Sequence, residues 1–264
     1  MVHQRLHDVL TSLGSVLVAY SGGVDSAFLA HAAHRTLGPR SLAAIADSPS
    51  LPRAELADAL AVADEYGFPV EIVRTSEFEN EDYLRNEPDR CFHCKQALFD
   101  ELFPLAAARG FTHVALGTVT DDLGDVRPGL VSAKRRGAKQ PLLDAGLSKT
   151  HVRALAKAAG LRVWDKPQAA CLSSRIPHGT RVTTGALASV EAAEHAIRSL
   201  GFDVVRVRHY GDAARVEVDP DDVPRAEQMR QAIIEAVRAS GYTDVTIDPH
   251  GYRRGGARLP LLES

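Results

Sequence analysis

Six residues near the start of the chain, Ser21, Gly22, Gly23, Val24, Asp25 and Ser26, follow the apolar run 16–20 directly and lead into a helical pattern over 27–37. Gly22 and Gly23 lack Cβ atoms, so the backbone can take positive φ and bring its N–H groups close to a ligand. The helix that follows offers free N–H groups and the positive end of its dipole, and both favour an anion. Ser21 and Ser26 add hydroxyl donors. A strand, a Gly-rich turn and a helix start, in that order, is the setting in which such a string reads as a phosphate-binding loop. A plain turn capped by Asp25 and Ser26 is the bland alternative.

All three cysteines fall in two other polar, irregular neighbourhoods, Cys91 and Cys94 in CFHC and Cys171 in ACLSSR. An odd count in a chain with no sign of export makes structural disulfides a poor explanation. CFHC reads either as a pair of half-buried thiols or as part of a metal site. Zinc would need two further ligands, with His93 badly placed between the thiols, whereas three thiolates would leave a cubane iron–sulfur cluster with one open iron. Cys171 stands near Arg175 and Lys166, cations that favour a nucleophilic thiolate. Magnesium on the phosphates of a bound ligand needs only one or two carboxylates, and Asp121, Asp122 and Asp125 follow an expected strand end, although Asp also favours turns.

Two groups of charged residues stand in the last third of the chain. Leu187, Val190, Ile197 and Leu200 form an apolar stripe into which the helical period also places Glu194, a carboxylate that must be paired, used or bent out to solvent. In VVRVRH the two-residue period puts Arg206 and Arg208 opposite Val205 and Val207, and Arg215 and Glu217 alternate likewise with Val216 and Val218. With the valines inward, three guanidiniums would gather on an outer face suited to a phosphate or carboxylate. Cross-strand Arg–Glu pairs on a solvated face are the alternative.

The elements that must position these residues alternate in the first half: strands at 16–20, 42–47, 69–74 and 113–117, helices at 27–37, 53–66 and 95–108. That alternation predicts a parallel sheet flanked by helices, an α/β fold. A loop-rich stretch spans 118–146, a helix 148–159 and an irregular segment 164–183. Helices at 184–200 and 221–239, with strands at 203–208, 214–218 and 243–248, form a smaller α+β unit, which gives domains 1–180 and 181–264. The stripe Val223, Ala226, Met229, Ile233 and Val237 is core. With 264 residues, 45% hydrophobic and 25% charged, the usage is that of a soluble protein. No apolar run spans a bilayer, and the first residues lack the pattern of a signal, so a cytoplasmic location is expected. A net charge of −3 gives no general pull towards nucleic acid, although Lys134, Arg135, Arg136 and Lys139 make a local basic patch.

The string SGGVDS resembles the PP-loop of the N-type ATP pyrophosphatases, and the Walker lysine signature is absent. ATP would then be split to AMP and pyrophosphate. The motifs SGGVDS, DSPSLP, DRCFHCK, TDDLGDVRPG, PLLDAGLSK, WDKPQAACLSSRIPHGT, RVRHYG and GYRRGG occur in the order seen in the LarE family, which the chain resembles over nearly its whole length. It departs from the family pattern at Val119 and Thr120, and at Gly255, Gly256, Ala257 and Arg258 after the last motif.

That resemblance implies a sheet of the adenine nucleotide α-hydrolase type and a PP-loop sulfur transferase. Such an enzyme adenylates a carboxylate of pyridinium-3,5-biscarboxylic acid mononucleotide and replaces it with a thiocarboxylate, towards the nickel-pincer cofactor of lactate racemase. Cys171 matches the cysteine that attacks the acyl-adenylate and surrenders its sulfur, becoming dehydroalanine. Some members instead use three cysteines, here Cys91, Cys94 and Cys171, to hold a 4Fe–4S cluster. By the same resemblance Asp25 and Glu194 join Cys171 in the catalytic set, with Ser21 to Ser26 on ATP, and Ser174 and Arg175 lie in the Cys171 motif. Arg206 and Arg208 match residues that the family places around the substrate phosphate, with Arg215 joined to them by the strand alternation above; magnesium accompanies ATP, and the assembly is a homo-oligomer, a ring of six. The alternatives are a tRNA thiolase of the same superfamily, which would need a broader basic surface, and a non-catalytic nucleotide sensor.

Overall fold

The structure, a computed structural model, describes residues 2–124 and 128–253. Asp125 and the residues from Arg254 onward lie outside the described residues. The chain divides into two compact units, Met1–Asn80 with Cys91–Ala169, and Glu81–Arg90 with Ala170–Ser264.

The first unit begins with α1 (Val2–Leu13), β1 (Val16–Tyr20), α2 (Val24–Leu37), β2 (Ser41–Asp47), α3 (Arg53–Glu65) and β3 (Val70–Arg74). The chain then joins the second unit for α4 (Glu81–Leu84). It returns through α5 (Arg90–Ala108), β4 (His113–Ala115), α6 (Pro128–Arg136), α7 (Pro141–Asp144) and α8 (Lys149–Ala158). Four strands form one parallel sheet in the order β3-β2-β1-β4. β1 reads VLVAY and every residue in it is buried, as befits a central strand covered on both faces. One core cluster gathers Val16, Val18 and Ile45 with α1, α2 and α3. The other gathers Leu17, Ala44 and Val114 with Phe99 and Leu102 of α5. The strand order reverses at β1, where the chain steps outward through β2 and β3 and comes back on the far side as β4. Ligands of open α/β sheets bind beyond the carboxyl ends of the strands at such a reversal.

In the second unit the chain continues with α9 (Thr184–Ser199), β5 (Val205–Tyr210), β6 (Ala213–Val218), α10 (Val223–Gln228), α11 (Arg230–Arg238) and β7 (Asp244–Ile247). β5 and β6 pair antiparallel, and β7 joins β6 in parallel. The α9 stripe Leu187, Val190, Ala193 and Ile197 is buried, and Thr183 caps the helix by accepting from Ala186 N–H at 3.1 Å.

Three details differ from the sequence pattern. The helix expected over 221–239 is two helices that meet at Met229. The stretch 118–146 carries α6 and α7, which its polarity concealed. In α6 the proline opens the helix and Lys134, Arg135 and Arg136 close it, the ends at which each residue type suits the helix terminus. Helix α5 begins at Arg90 rather than at 95, so CFHC lies in its first turn and not in an irregular segment. Among the described residues no helix is long and apolar enough to cross a membrane.

Candidate active site

Beyond β1 the chain turns through Ser21, Gly22 and Gly23 into α2. Gly22 has φ +73°, and a Cβ there would lie 2.8 Å from the Cβ of Ala59 on α3, so both conformation and space demand glycine. Gly117, just past β4, approaches the same helix start so closely that a Cβ would stand 3.0 Å from Asp25 C and Ser26 N. Ser26 Oγ donates to Gly23 O at 3.0 Å, accepts from Ser21 N–H at 3.1 Å and lies 3.0 Å from Ser21 Oγ. The turn is therefore shaped by its own hydroxyls. Gly23 is the N-cap of α2 and no side chain caps it, so the capped-turn reading does not describe this helix start. No side chain takes up the first-turn N–H groups of α2 as a cap, and such groups at a helix start are donors of the kind that suit an anion.

Asp25, in the first turn of α2, takes Lys149 Nζ on Oδ2, while its Oδ1 is buried with no hydrogen-bond partner among the described residues. Burial holds the Asp25 carboxyl above its usual range; Lys149 pulls it down and the neighbouring Asp122 pushes it up. Asp121 Oδ2 accepts from Lys149 N–H at 2.8 Å and from the Thr120 hydroxyl at 3.3 Å. Those backbone and side-chain bonds place its carboxyl below the ordinary range. Asp122 Oδ2 accepts from Val119 N–H at 3.0 Å. Asp121 and Asp122 thus serve the turn after β4, and Asp25 is the carboxylate with a buried oxygen to spare. An unpartnered carboxylate oxygen with a second carboxylate near it fits magnesium, a hard cation that takes oxygen ligands. Among the described residues no three His, Cys, Asp or Glu side chains gather into a metal-holding group.

Lys149 is a residue that the sequence reading passed over. It is the first residue of α8, whose N-cap Ser148 makes a capping box with His151, and nothing local announces a partner 124 positions away. The available signal was its place in PLLDAGLSK together with the missing Walker lysine. Beside the loop, at the carboxyl ends of β2 and β3, Asp47, Ser48, Pro49, Arg53, Arg74 and Thr75 line a cavity of about 340 Å³. A larger one of about 590 Å³ opens by residues 38–39 and 67–69, at the opposite ends of those strands.

In the second unit, Cys171 is exposed and heads a 3-10 turn, Leu172–Arg175, whose Leu172, Ser173 and Arg175 are buried. Arg175 is 2% exposed. Its Nη1 donates to Ala170 O at 2.7 Å, Cys171 O at 3.0 Å and Ser174 Oγ at 3.1 Å. Its Nε and Nη2 grip Glu194 Oε1 and Oε2 at 2.8 and 3.0 Å. Glu194 also accepts from Arg198 Nη2 at 2.9 Å and Val207 N–H at 3.1 Å. Burial opposes its ionisation, but Arg175, Arg198 and the Val207 N–H outweigh it and hold the carboxyl below its ordinary range. The stripe position that the sequence left open is therefore a fully paired carboxylate. Lys166 is paired within the first unit, 2.8 Å from Glu55 and 2.6 Å from Asp58.

The expected outer arginine face is not solvated. Val205, Val207, Val216 and Val218 are buried, and so are Arg208, Arg215 and Glu217 on the opposite face. Arg208 binds Glu217 Oε2 through Nε and Nη2 at 3.0 and 2.8 Å and reaches Ser174 O at 3.1 Å. Arg215 lies 3.2 Å from Glu217 and 3.6 Å from Asp248. Hairpin alternation gave the faces correctly, but it could not show that the turn after Cys171 covers the second one. Arg206 differs from both: its Nη1 bonds Val205 O at 2.8 Å and its guanidinium lies over the Tyr252 ring at 5.2 Å. Among the described residues it makes no ion pair. Burial, and then Arg175, lower its affinity for a proton. Cys91 is exposed and Cys94 half-buried; three residues apart on α5, they share one helix face.

No protein-family model matches the chain. It is 41% identical over 254 residues to an uncharacterised protein of Synechocystis, slr1717, which covers 96% of this chain and 95% of that protein. An uncharacterised protein of Methanocaldococcus jannaschii, MJ0830, is 25% identical over 238 residues, 90% of each chain. The pyridinium-3,5-bisthiocarboxylic acid mononucleotide synthase of Lactiplantibacillus plantarum is 35% identical over 248 residues, 93% of this chain and 90% of that enzyme. With motifs in family order and near-complete coverage of that enzyme, the chain belongs to the LarE family.

Proposed function

We propose that the chain is an ATP-dependent sulfur transferase that converts a carboxylate of pyridinium-3,5-biscarboxylic acid mononucleotide to a thiocarboxylate, a step towards a nickel-pincer cofactor. The observation that carries the reading is Cys171: an exposed thiol at the head of a turn whose Leu172, Ser173 and Arg175 are buried. Support for the substrate comes from the name of the L. plantarum relative.

In this reading the loop from Ser21 to Ser26 receives the phosphates of ATP, with Lys149 and the α2 N-terminus meeting negative charge as pyrophosphate departs. Magnesium, when bound with ATP, would be held by Asp25, with Asp122 near it, and would neutralise phosphate charge. The substrate carboxylate attacks the α-phosphorus, pyrophosphate leaves and an acyl-adenylate forms. Cys171 sulfur attacks the acyl carbon and AMP leaves with the former carboxylate oxygen. Loss of the Cys171 α-proton then breaks the Cβ–S bond, which releases the thiocarboxylate and leaves dehydroalanine. Arg206 is the guanidinium suited to the substrate phosphate, while Arg208, Arg215 and Glu194 hold the framework.

A second reading keeps the adenylation and changes the sulfur source to a 4Fe–4S cluster on Cys91, Cys94 and Cys171; the shared helix face of Cys91 and Cys94 supports it. Intact mass after incubation with ATP and the pyridinium substrate tests the first reading through loss of H₂S at Cys171. Iron and sulfide analysis of anaerobically purified protein tests the second. Unchanged mass with no iron would remove both, and tight tRNA binding would favour a thiolase.

A further inference from the structure

Three buried arginines of the second unit are answered by carboxylates: Arg175 by Glu194, Arg208 by Glu217, and Arg215 by Glu217 and Asp248. Arg90 is not. It is the last residue of the segment Glu81–Arg90 and only 7% exposed, and among the described residues it makes no ion pair. Its Nη1 instead donates to two neutral acceptors, Asn86 Oδ1 and, at 2.8 Å, Ser173 O. A buried guanidinium without a counter-charge is costly, and nothing in the packing of this unit explains why one is kept at the turn that carries Cys171.

Asn86 shows how firmly Arg90 is held. It is fully buried with φ +61°, a conformation uncommon for any residue but glycine. Its Nδ2 donates to Pro177 O at 2.7 Å, Thr180 O at 3.0 Å and Ile176 O at 3.3 Å, and its own carbonyl accepts from Gly179 N–H at 3.2 Å. One side chain thus ties residues 176–180 to the α4 segment while orienting Arg90. The Tyr83 hydroxyl adds a contact of 2.8 Å to Ser173 Oγ. The Cys171 turn is consequently set by two guanidiniums, one neutralised by Glu194 and one with no carboxylate partner among the described residues.

We propose that Arg90 is a positioning residue for Cys171, fixing the turn through the Ser173 carbonyl, and that a carboxylate or phosphate group of the substrate supplies its missing counter-charge. This rests on the reading of Cys171 as the reacting sulfur. The charge can be read without turnover, by following alkylation of Cys171 with anionic iodoacetate and neutral iodoacetamide through peptide mass. Relative to the unaltered protein, the iodoacetate-to-iodoacetamide rate ratio should fall roughly threefold in Arg90→Gln and in Asn86→Asp, which remove or quench the charge, and should be kept in Arg90→Lys. In the unaltered protein the ratio should also fall as salt is raised, a readout that needs no substitution. Pyridine-3,5-dicarboxylate and inorganic phosphate, added separately, should slow alkylation in the unaltered protein and not in Arg90→Gln. The one effective at lower concentration identifies the group. A ratio insensitive to salt and equal in all folded variants would overturn the proposal. Absence of sulfur transfer with the ratio behaving as stated would instead overturn the functional reading and leave the charge at Cys171 standing.

Discussion

Replacing Glu194 with glutamine changes one atom type at a point where four hydrogen bonds converge. Oε1 takes Arg175 Nε and Val207 N–H, and Oε2 takes Arg175 Nη2 and Arg198 Nη2. Glutamine offers one acceptor oxygen and turns an NH₂ towards arginine donors, so at least one face of the site becomes donor against donor. Arg175, 2% exposed, would keep its carbonyl partners but lose its counter-charge. Breaking a buried pair from one side costs about 3–5 kcal/mol, a large share of the roughly 5–15 kcal/mol that a domain commands. At about 2–4 °C per kcal/mol for a chain of this length, the melting midpoint should fall by roughly 6–20 °C. Urea unfolding gives the same quantity from a shifted midpoint at constant slope. A Glu194→Gln protein that melts within about 2 °C of the parent would refute the assignment of Glu194 as the anchor of the Cys171 turn. If that stable variant were also unable to transfer sulfur, direct chemistry by Glu194 would be the better account.

The same carboxyl fixes a pH dependence. Its folded pKa lies below its unfolded value, so its stabilisation is present above about pH 4.3 and is lost as pH falls through the folded value. Acid unfolding monitored by circular dichroism should lose that limb in Glu194→Gln. Gly22→Ala forces a side chain into φ +73° with Ala59 2.8 Å away; about 1–3 kcal/mol of strain should appear as lost stability, with weakened ATP binding by calorimetry. Lys149→Met removes the cation paired with Asp25 at the phosphate loop. ATP-dependent pyrophosphate release should drop about a hundredfold while the melting midpoint changes little, and release at the parental rate would remove Lys149 from the phosphate site.

Much of the first unit was legible because its signals are local. The run VLVAY, the two glycines after it and the periodic apolar residues over 27–37 sit side by side, and successive strands of a parallel sheet announce themselves by alternation with helices. What stayed hidden depends on partners distant in sequence. Asn86 and Arg90 belong with residues 173–180 of the same second unit, but some 80 positions of sequence separate the two segments and no period links them. Lys149 meets Asp25 only once β4 has returned beside β1. Arg208 and Arg215 read as surface because alternation predicts faces and says nothing about what covers them. CFHC looked irregular because its polar residues carry no apolar stripe, although it forms the first turn of a helix that is well patterned further along. Glu194 was noticed as a charge in an apolar stripe, and its role followed only from the positions of Arg175 and Arg198.

In the proposed reaction Cys171 supplies the sulfur. Intact mass of anaerobically purified protein, before and after ATP with pyridinium-3,5-biscarboxylic acid mononucleotide, measures this directly, with peptide mapping to locate the change. The expected result is stoichiometric loss of H₂S, placed at residue 171, matched to thiocarboxylate formed and absent in Cys171→Ser, which should still release pyrophosphate. Thiocarboxylate produced with Cys171 intact in mass would contradict it.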